Sequence, residues 1–256
     1  LPVSNFPLRA LVVLLCALTP LSGHGAHPLI TEDTGTQGQG NFQLELVSEH
    51  TRLRESGANQ LLVLTATAFS YGVVDSVDVI LTVPHLRLGA SASSGAPGAQ
   101  GLTDVGLDVK WRFYEKERLS FALKPGITFP TGDDTRNLGT GKHTLSAYLT
   151  ASYEAAPWTW LLHLGHVHHN NTFNEREDIW HASAAVVRQL GETLKLVLDT
   201  GVDTNTAHDA DADPVFLIAG LVYTLYPNFD IDVGYRLESA DSSRARSLLA
   251  GLALRW

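Results

Sequence analysis

From Thr103 to Tyr114 the chain reads TDVGLDVKWRFY, and at period two it separates into faces of opposite character. Val105, Leu107, Val109, Trp111 and Phe113 share one face; Asp104, Gly106, Asp108, Lys110, Arg112 and Tyr114 share the other. Successive strand side chains point to opposite sides, so the stretch reads as a strand lying between an apolar and a polar medium. A soluble sandwich would put the charged face in water. A barrel in an outer membrane would turn the apolar face to lipid and the charged face inward. The apolar face grows more aromatic toward one end, as on approach to a headgroup layer. One strand fits both folds, and the punctuation of the remaining chain has to decide.

Eleven further segments repeat the signal. They are Phe42–His50, Gln60–Tyr71, Val77–Leu86, Leu119–Phe129, Thr144–Glu154, Trp158–His168, Ile179–Gln189, Leu194–Asp203, Val215–Leu225, Asn228–Glu238 and Ala245–Trp256. Alternation is sharpest in Asn228–Glu238, where Phe229, Ile231, Val233, Tyr235 and Leu237 oppose Asp230, Asp232, Gly234, Arg236 and Glu238. Gln60–Tyr71 has an ambiguous inner face, and Val215–Leu225 is apolar on both. Twelve is an even count, and each segment is near the roughly 9–11 residues a tilted transmembrane strand requires.

The intervening stretches alternate in length. They are long at 51–59, 87–101, 130–143, 169–178, 204–214 and 239–244, and short near 72–76, 115–118, 155–157, 190–193 and 226–227. The long ones are loop-like, as in GASASSGAPGAQG and TNTAHDADADP. Short turns on one rim and long loops on the other are the asymmetry of outer-membrane barrels. Facing follows from magnitude, because Lys or Arg toward lipid costs about 2–4 kcal/mol at the midplane. Asp104, Asp108, Lys110 and Arg112 must therefore face inward. The expected fold is all-β: a transmembrane antiparallel up-and-down β-barrel of about twelve strands over residues 42–256.

Ahead of it, Arg9 precedes an apolar run from Ala10 to Leu18, then Pro20 and small residues, the layout of a secretory signal. Residues 1–26 are expected to be removed on export, and 27–41 to form a polar segment that stays periplasmic or folds back as a plug. Past that run no stretch of about 18 apolar residues occurs, which rules out helical membrane spans. A net charge of −9 argues against nucleic acid as a partner, since phosphate binding needs concentrated Lys and Arg. The sole cysteine, Cys16, leaves no disulfide or thiol chemistry to the rest of the chain.

HPLITEDTGTQGQGNFQLELVSEH, YGVVDSVDVILTVPHL, GLTDVGLDVKWRFY, KPGITFPTGDD and WTWLLHLGHVHHN together resemble the outer-membrane transporter family named for the MetA pathway of phenol degradation. TEDTGTQGQGN and PTGDD carry the most specific part of that resemblance. It implies an exported barrel with a role in uptake of aromatic or other small organic molecules, and it brings no catalytic residues.

The inward positions expected to line a pore are Asp104, Asp108, Lys110, Arg112, Lys124, Lys195, Asp199, Asp230, Asp232 and Arg236, of mixed sign, as suits a polar lumen without strong charge selectivity. Tyr114, Tyr148 and Phe216 are candidates for inward aromatic rings. Strand alternation turns His163 and His169 inward but His166 and His168 outward, so the histidines do not converge on one metal. No metal or other cofactor is expected. His181 and Ser183 match the H-x-S pairing of outer-membrane lipases and deacylases, yet no carboxylate or amide follows at about ten residues to orient the histidine. TGDDTRN and DADAD are carboxylate-dense but lack EF-hand spacing, and read as solvated loops.

LLAGLALRW ends on outward Trp256, which resembles the signal read by the barrel-insertion machinery. The expected function is passive passage of small organic molecules across the outer membrane, without enzymatic activity. Its partners would be membrane lipid and lipopolysaccharide, the insertion machinery and the solute. The alternatives are an enzyme built on His181 and Ser183, or a closed structural or adhesive barrel.

Overall fold

The computed structural model describes residues 27–256 except 56–57, 91–96, 211 and 241–242; the expected signal, residues 1–26, lies outside the described residues. Among the described residues thirteen strands form one sheet. They are β1 (Phe42–Glu55), β2 (Ala58–Val74), β3 (Val77–Leu88), β4 (Ala99–Leu102), β5 (Val105–Lys116), β6 (Leu119–Phe129), β7 (Thr144–Ala155), β8 (Trp158–His168), β9 (Asp178–Leu190), β10 (Leu194–Asp203), β11 (Val215–Tyr226), β12 (Phe229–Ala240) and β13 (Ser243–Arg255). Each neighbour pair is antiparallel, and β1 joins both β2 and β13, so the sheet closes on itself. β4 is a short ribbon laid against the end of β3, which leaves twelve strands in the cylinder. Closure satisfies every edge, the condition for a sheet to exist in hydrocarbon.

The seam pairs Gln43 with Arg255 and runs in register to Glu55 opposite Ser243. We call the end bearing Phe42 and Trp256 the near end. Alternation is obeyed around the cylinder: Leu107, Val109, Trp111 and Phe113 are exposed outside, while Lys110 and Lys124 are among the most buried large side chains inside. Near the near end the outer surface carries a girdle of aromatic rings, including Phe42, Tyr71, Trp111, Tyr153, Trp160, Tyr226 and Trp256. Phe42 stacks on Trp256 and lies against Tyr71, locking the seam at that level.

Two expectations change. The stretches 51–59 and 239–244 are not long loops, for β1 and β2 are separated only by residues 56–57, and β12 and β13 only by 241–242. The sequence 51–54 continues the alternation, with Thr51 and Leu53 buried inside and Arg52 and Arg54 outside, so polar composition there marks a strand rising beyond the apolar band. The far end thus carries four long connections, 89–104, 130–143, 169–177 and 204–214, and two tight hairpins. Tyr114 does not face the lumen either. A register shift between Arg112 and Tyr114 turns it outward, where it is 41% exposed and packs on Phe121.

Candidate functional site

The lumen is crossed by the chain's own residues 27–41. Pro28, Leu29 and Ile30 lie against the β8–β13 side: Leu29 packs with Leu161, Ala185, Val197 and Val222, and Ile30 with Phe216, Ile218 and Leu249. Facing positions Gly220 and Gly234, paired between β11 and β12, form a notch for Pro28. A Cβ added at Gly220 or Gly234 would come within 2.5 Å or 2.7 Å of the proline ring. At mid-height the chain turns across the lumen. Asp199 of β10 accepts the Ile30 and Thr31 amides at 2.7 and 2.9 Å.

On the opposite wall Glu32 pairs with Lys124 of β6 and, at 3.8 Å, with Lys110 of β5, which also meets Asp33 at 3.3 Å. The chain then descends past Ser152, which accepts the Thr34 amide, to Asp78, whose carboxylate accepts the Gln37 amide at 3.0 Å. Apolar residues dock on an apolar wall and carboxylates on an ammonium-bearing one. The two sides of the lumen thus match the two halves of the segment.

The ten expected lining residues divide into groups. Lys110, Lys124, Asp199 and Asp232 engage the segment, Asp232 through His27. Arg236 on β12 pairs with Glu49 on β1, reaching across β13, and Asp230 pairs with Arg255 on the neighbouring β13 at 2.8 Å, bracing the wall from inside. Asp108 overlies Gly126, and Lys195 is half-buried on the inward face of β10. Arg112, near the near end, meets Glu115 at 3.1 Å. Asp104 precedes β5 and works as a loop anchor: it accepts the Gly132 amide at 3.0 Å and both the amide and hydroxyl of Thr140, at 2.7 and 2.8 Å. That carboxylate folds 130–143 over the far mouth, where Leu138 is buried among Leu53, Leu62, Leu64, Leu86, Leu88 and Ile179. The cluster gives the far part of the lumen an apolar side, next to buried Glu49, Thr51, Asp203 and Arg236.

Tyr148 and Phe216 do face inward, and both are buried. Gly165, opposite His181 in the register, leaves the space that the Tyr148 ring fills; a Cβ there would lie 2.3 Å from it. His163 lies between, its ring 4.9 Å from Tyr148 and 5.2 Å from His181. Among the described residues neither ring nitrogen of His163 has a partner of hydrogen-bonding geometry. His169 is buried beside Glu175, while His166 and His168 point outward to Asp178. Among the described residues no group of three or more candidate ligands is placed to hold a metal.

His181 has an orienting carboxylate after all. Its Nδ1 lies 2.6 Å from Asp203 Oδ1 and its Nε2 2.8 Å from Ser183 Oγ, which gives a Ser-His-Asp chain. Asp203 is set opposite His181 by the β9–β10 register, twenty-two residues downstream. Spacing of about ten residues along the chain does not point to it, because the β9–β10 pairing, not local sequence, brings it there. Thr31 Oγ1 sits 2.7 Å from Ser183 Oγ and 2.6 Å from Asp199 Oδ1. One hydroxyl proton cannot serve both contacts, and the carboxylate can only accept. Thr31 therefore gives its proton to Asp199 and competes with His181 for that of Ser183.

Solved structures share this architecture. An outer membrane channel from Pseudomonas putida F1 superposes with a TM-score of 0.74 at 13% identity, covering 88% of this chain and 98% of that one. The KdgM porin, in complex with disordered oligogalacturonate, gives 0.57 at 7% identity over 82% of this chain and 98% of its own. The CymD monoaromatic hydrocarbon channel gives 0.50 at 9% identity over 86% and 89%. No curated protein matches the sequence. Closed, antiparallel, apolar outside and largely polar within, the molecule is a β-barrel of the outer-membrane class. The chain belongs to the family described as "Putative MetA-pathway of phenol degradation", whose model matches residues 30–256.

Proposed function

We propose that the chain is a passive outer-membrane channel for small organic molecules, aromatic or hydrophobic in character. One observation carries this reading: the lumen has an apolar far mouth, with Leu53, Leu62, Leu64, Leu86, Leu88 and Leu138, leading to the Tyr148 and Phe216 rings. A lumen built for sugars or ions gains nothing from leucines at its entrance. The family description and the monoaromatic hydrocarbon channel among the similar structures support the same solute class. Residues 1–26 act as a signal removed on export, and 27–41 as a plug inside the barrel 42–256. The near end and both termini lie in the periplasm and the long connections outside. Trp256 presents the insertion signal, and lipopolysaccharide surrounds the outer rim. Asp108, Lys110, Arg112, Lys124, Lys195, Asp199, Asp230, Asp232 and Arg236 line the path once the plug withdraws, with Asp104 at its mouth.

Flux of phenol and toluene into proteoliposomes, compared with a charged disaccharide, tests the reading. Aromatic solutes should enter faster than in protein-free vesicles, and faster still after deletion of 27–41. No flux and no conductance with or without the segment would remove the channel.

The Ser183–His181–Asp203 geometry favours a second reading, an ester hydrolase at the inner wall. The strand amides are committed to the sheet, which leaves His163, opposite Ser183 in the register, to stabilise an oxyanion. Labelling by a small fluorophosphonate decides it. An adduct on Ser183 that forms faster in Thr31→Val and vanishes in Ser183→Ala supports hydrolysis. No adduct in folded Thr31→Val protein eliminates it.

A further inference from the structure

The outer surface of the seam carries a charge arrangement that the lumen does not explain. Arg52 and Arg54 on β1 and Arg244 and Arg246 on β13 all point outward and are exposed. The register sets Arg52 opposite Arg246 and Arg54 opposite Arg244. Like charges directly across a strand pair repel each other. Among the described residues none of the four has a carboxylate partner, whereas Arg112, Arg236 and Arg255 each do. Their other cross-strand neighbours are Leu61, Asn59, Leu237 and Ser239, none of them acidic. His50, His85 and Arg87, all exposed, extend the basic sector toward β3. In a chain of net charge −9, two stacked arginine pairs are an exception that calls for an anion.

Their height identifies its source. Arg52 lies ten residues along β1 from Phe42, and Arg246 ten along β13 from Trp256, the residues that mark the aromatic girdle. At about 3.3 Å per residue and a tilt of about 40°, the rise is about 25 Å, the height of the apolar band of such barrels. The guanidiniums therefore lie at the opposite headgroup layer, with exposed Leu46 and Leu248 on the membrane side of them and exposed Leu61 and Leu237 beside them. Planar forks at headgroup level, above an apolar wall, fit a molecule with phosphates on top and acyl chains beneath.

We propose that this seam patch is a binding site for the phosphates of a phosphorylated glycolipid of the outer leaflet. It rests on the reading above, in which the far end faces outward across the outer membrane. The phosphates sit between the two arginine pairs and remove their mutual repulsion, and the acyl chains lie along the leucines below.

Native mass spectrometry of the full chain in neutral detergent, with diphosphorylated lipid A as probe, tests the site. Wild type should hold the lipid roughly tenfold more tightly than a variant carrying Arg52→Gln, Arg54→Gln, Arg244→Gln and Arg246→Gln. Enzymatically dephosphorylated lipid A should bind weakly to both. Equal retention by wild type and variant overturns the proposal. So does equal retention of the two lipid A forms, or of phosphatidylglycerol, which would mean general anionic-lipid adhesion. Heat-modifiable gel migration verifies that the variant is folded. Bilayer conductance read in parallel keeps the outcomes apart: loss of the lipid site leaves conductance in place, whereas a protein that does not insert fails the outer-membrane reading itself.

Discussion

Replacing Gly234 by alanine should expel the N-terminal segment without harming the barrel. The added Cβ would lie 2.7 Å from Pro28 Cβ and 2.9 Å from Pro28 Cγ, and 3.3 Å from the tip of Leu249. Carbon atoms prefer separations of about 3.5–4.0 Å, so the overlap with the proline ring approaches 1 Å. The Leu249 tip can give by a few tenths of an ångström, and the proline ring can yield only if residues 27–30 move. Overpacking of this kind costs about 1–3 kcal/mol, borne almost wholly by the docked state, which lowers docking about 5- to 150-fold. Hydrogen exchange at Ile30 and Thr31, whose amides are held by Asp199, reads that equilibrium directly. The peptide covering 27–41 should exchange faster by that factor while the strand peptides stay unchanged. Gly106→Ala is the matched control, since its Cβ meets nothing nearer than 3.7 Å. Unchanged exchange in folded Gly234→Ala protein would show that Pro28 is not seated between β11 and β12.

Glu32→Ala should release the segment more strongly, because removing one partner of a buried ion pair costs about 3–5 kcal/mol, less what Asp33 retains for Lys110. Single-channel recording should then show open events far more often than in wild type, and an unchanged record would count against the latch. Cysteines placed at 108 and 112 should react with membrane-impermeant thiol reagents, and those at 107 and 109 should not, with the 108 site reacting faster once 27–41 is deleted. Asp104→Ala removes the acceptor of three hydrogen bonds and should make 130–143 sensitive to protease at a cost of about 1–3 kcal/mol locally. Equal cleavage rates in the two proteins would mean that Asp104 does not anchor that connection.

The cylinder was legible because period two was kept on nearly every strand, with charge on one face and leucine or aromatic on the other. Val215–Leu225 broke the rule by being apolar on both faces, and the reason lies elsewhere in the chain. Phe216, Ile218 and Val222 face inward to receive Leu29 and Ile30. Sequence pattern registers that a face is apolar but not which apolar partner covers it. Residues 27–41 were unreadable for a related reason: the segment has no periodicity, since each residue answers a different strand. Asp203 escaped notice because its link to His181 is a cross-strand register, and Tyr114 because one irregular residue pair reverses facing. At the far end arginine and serine have the composition of a turn yet continue a strand, so composition does not give loop length there.

The segment 27–41 also has a mechanical consequence. It is tied to β12 through Asp232, to β10 through Asp199, to β6 through Lys124, to β5 through Lys110 and to β3 through Asp78. A thin-walled tube resists stretching along its hydrogen bonds far better than flattening across its diameter. A strut fixed to opposing walls supplies the missing stiffness, holding the cross-section round. Were the strut withdrawn, the tube would lose that support as well as its filling, and its cross-section would become compliant.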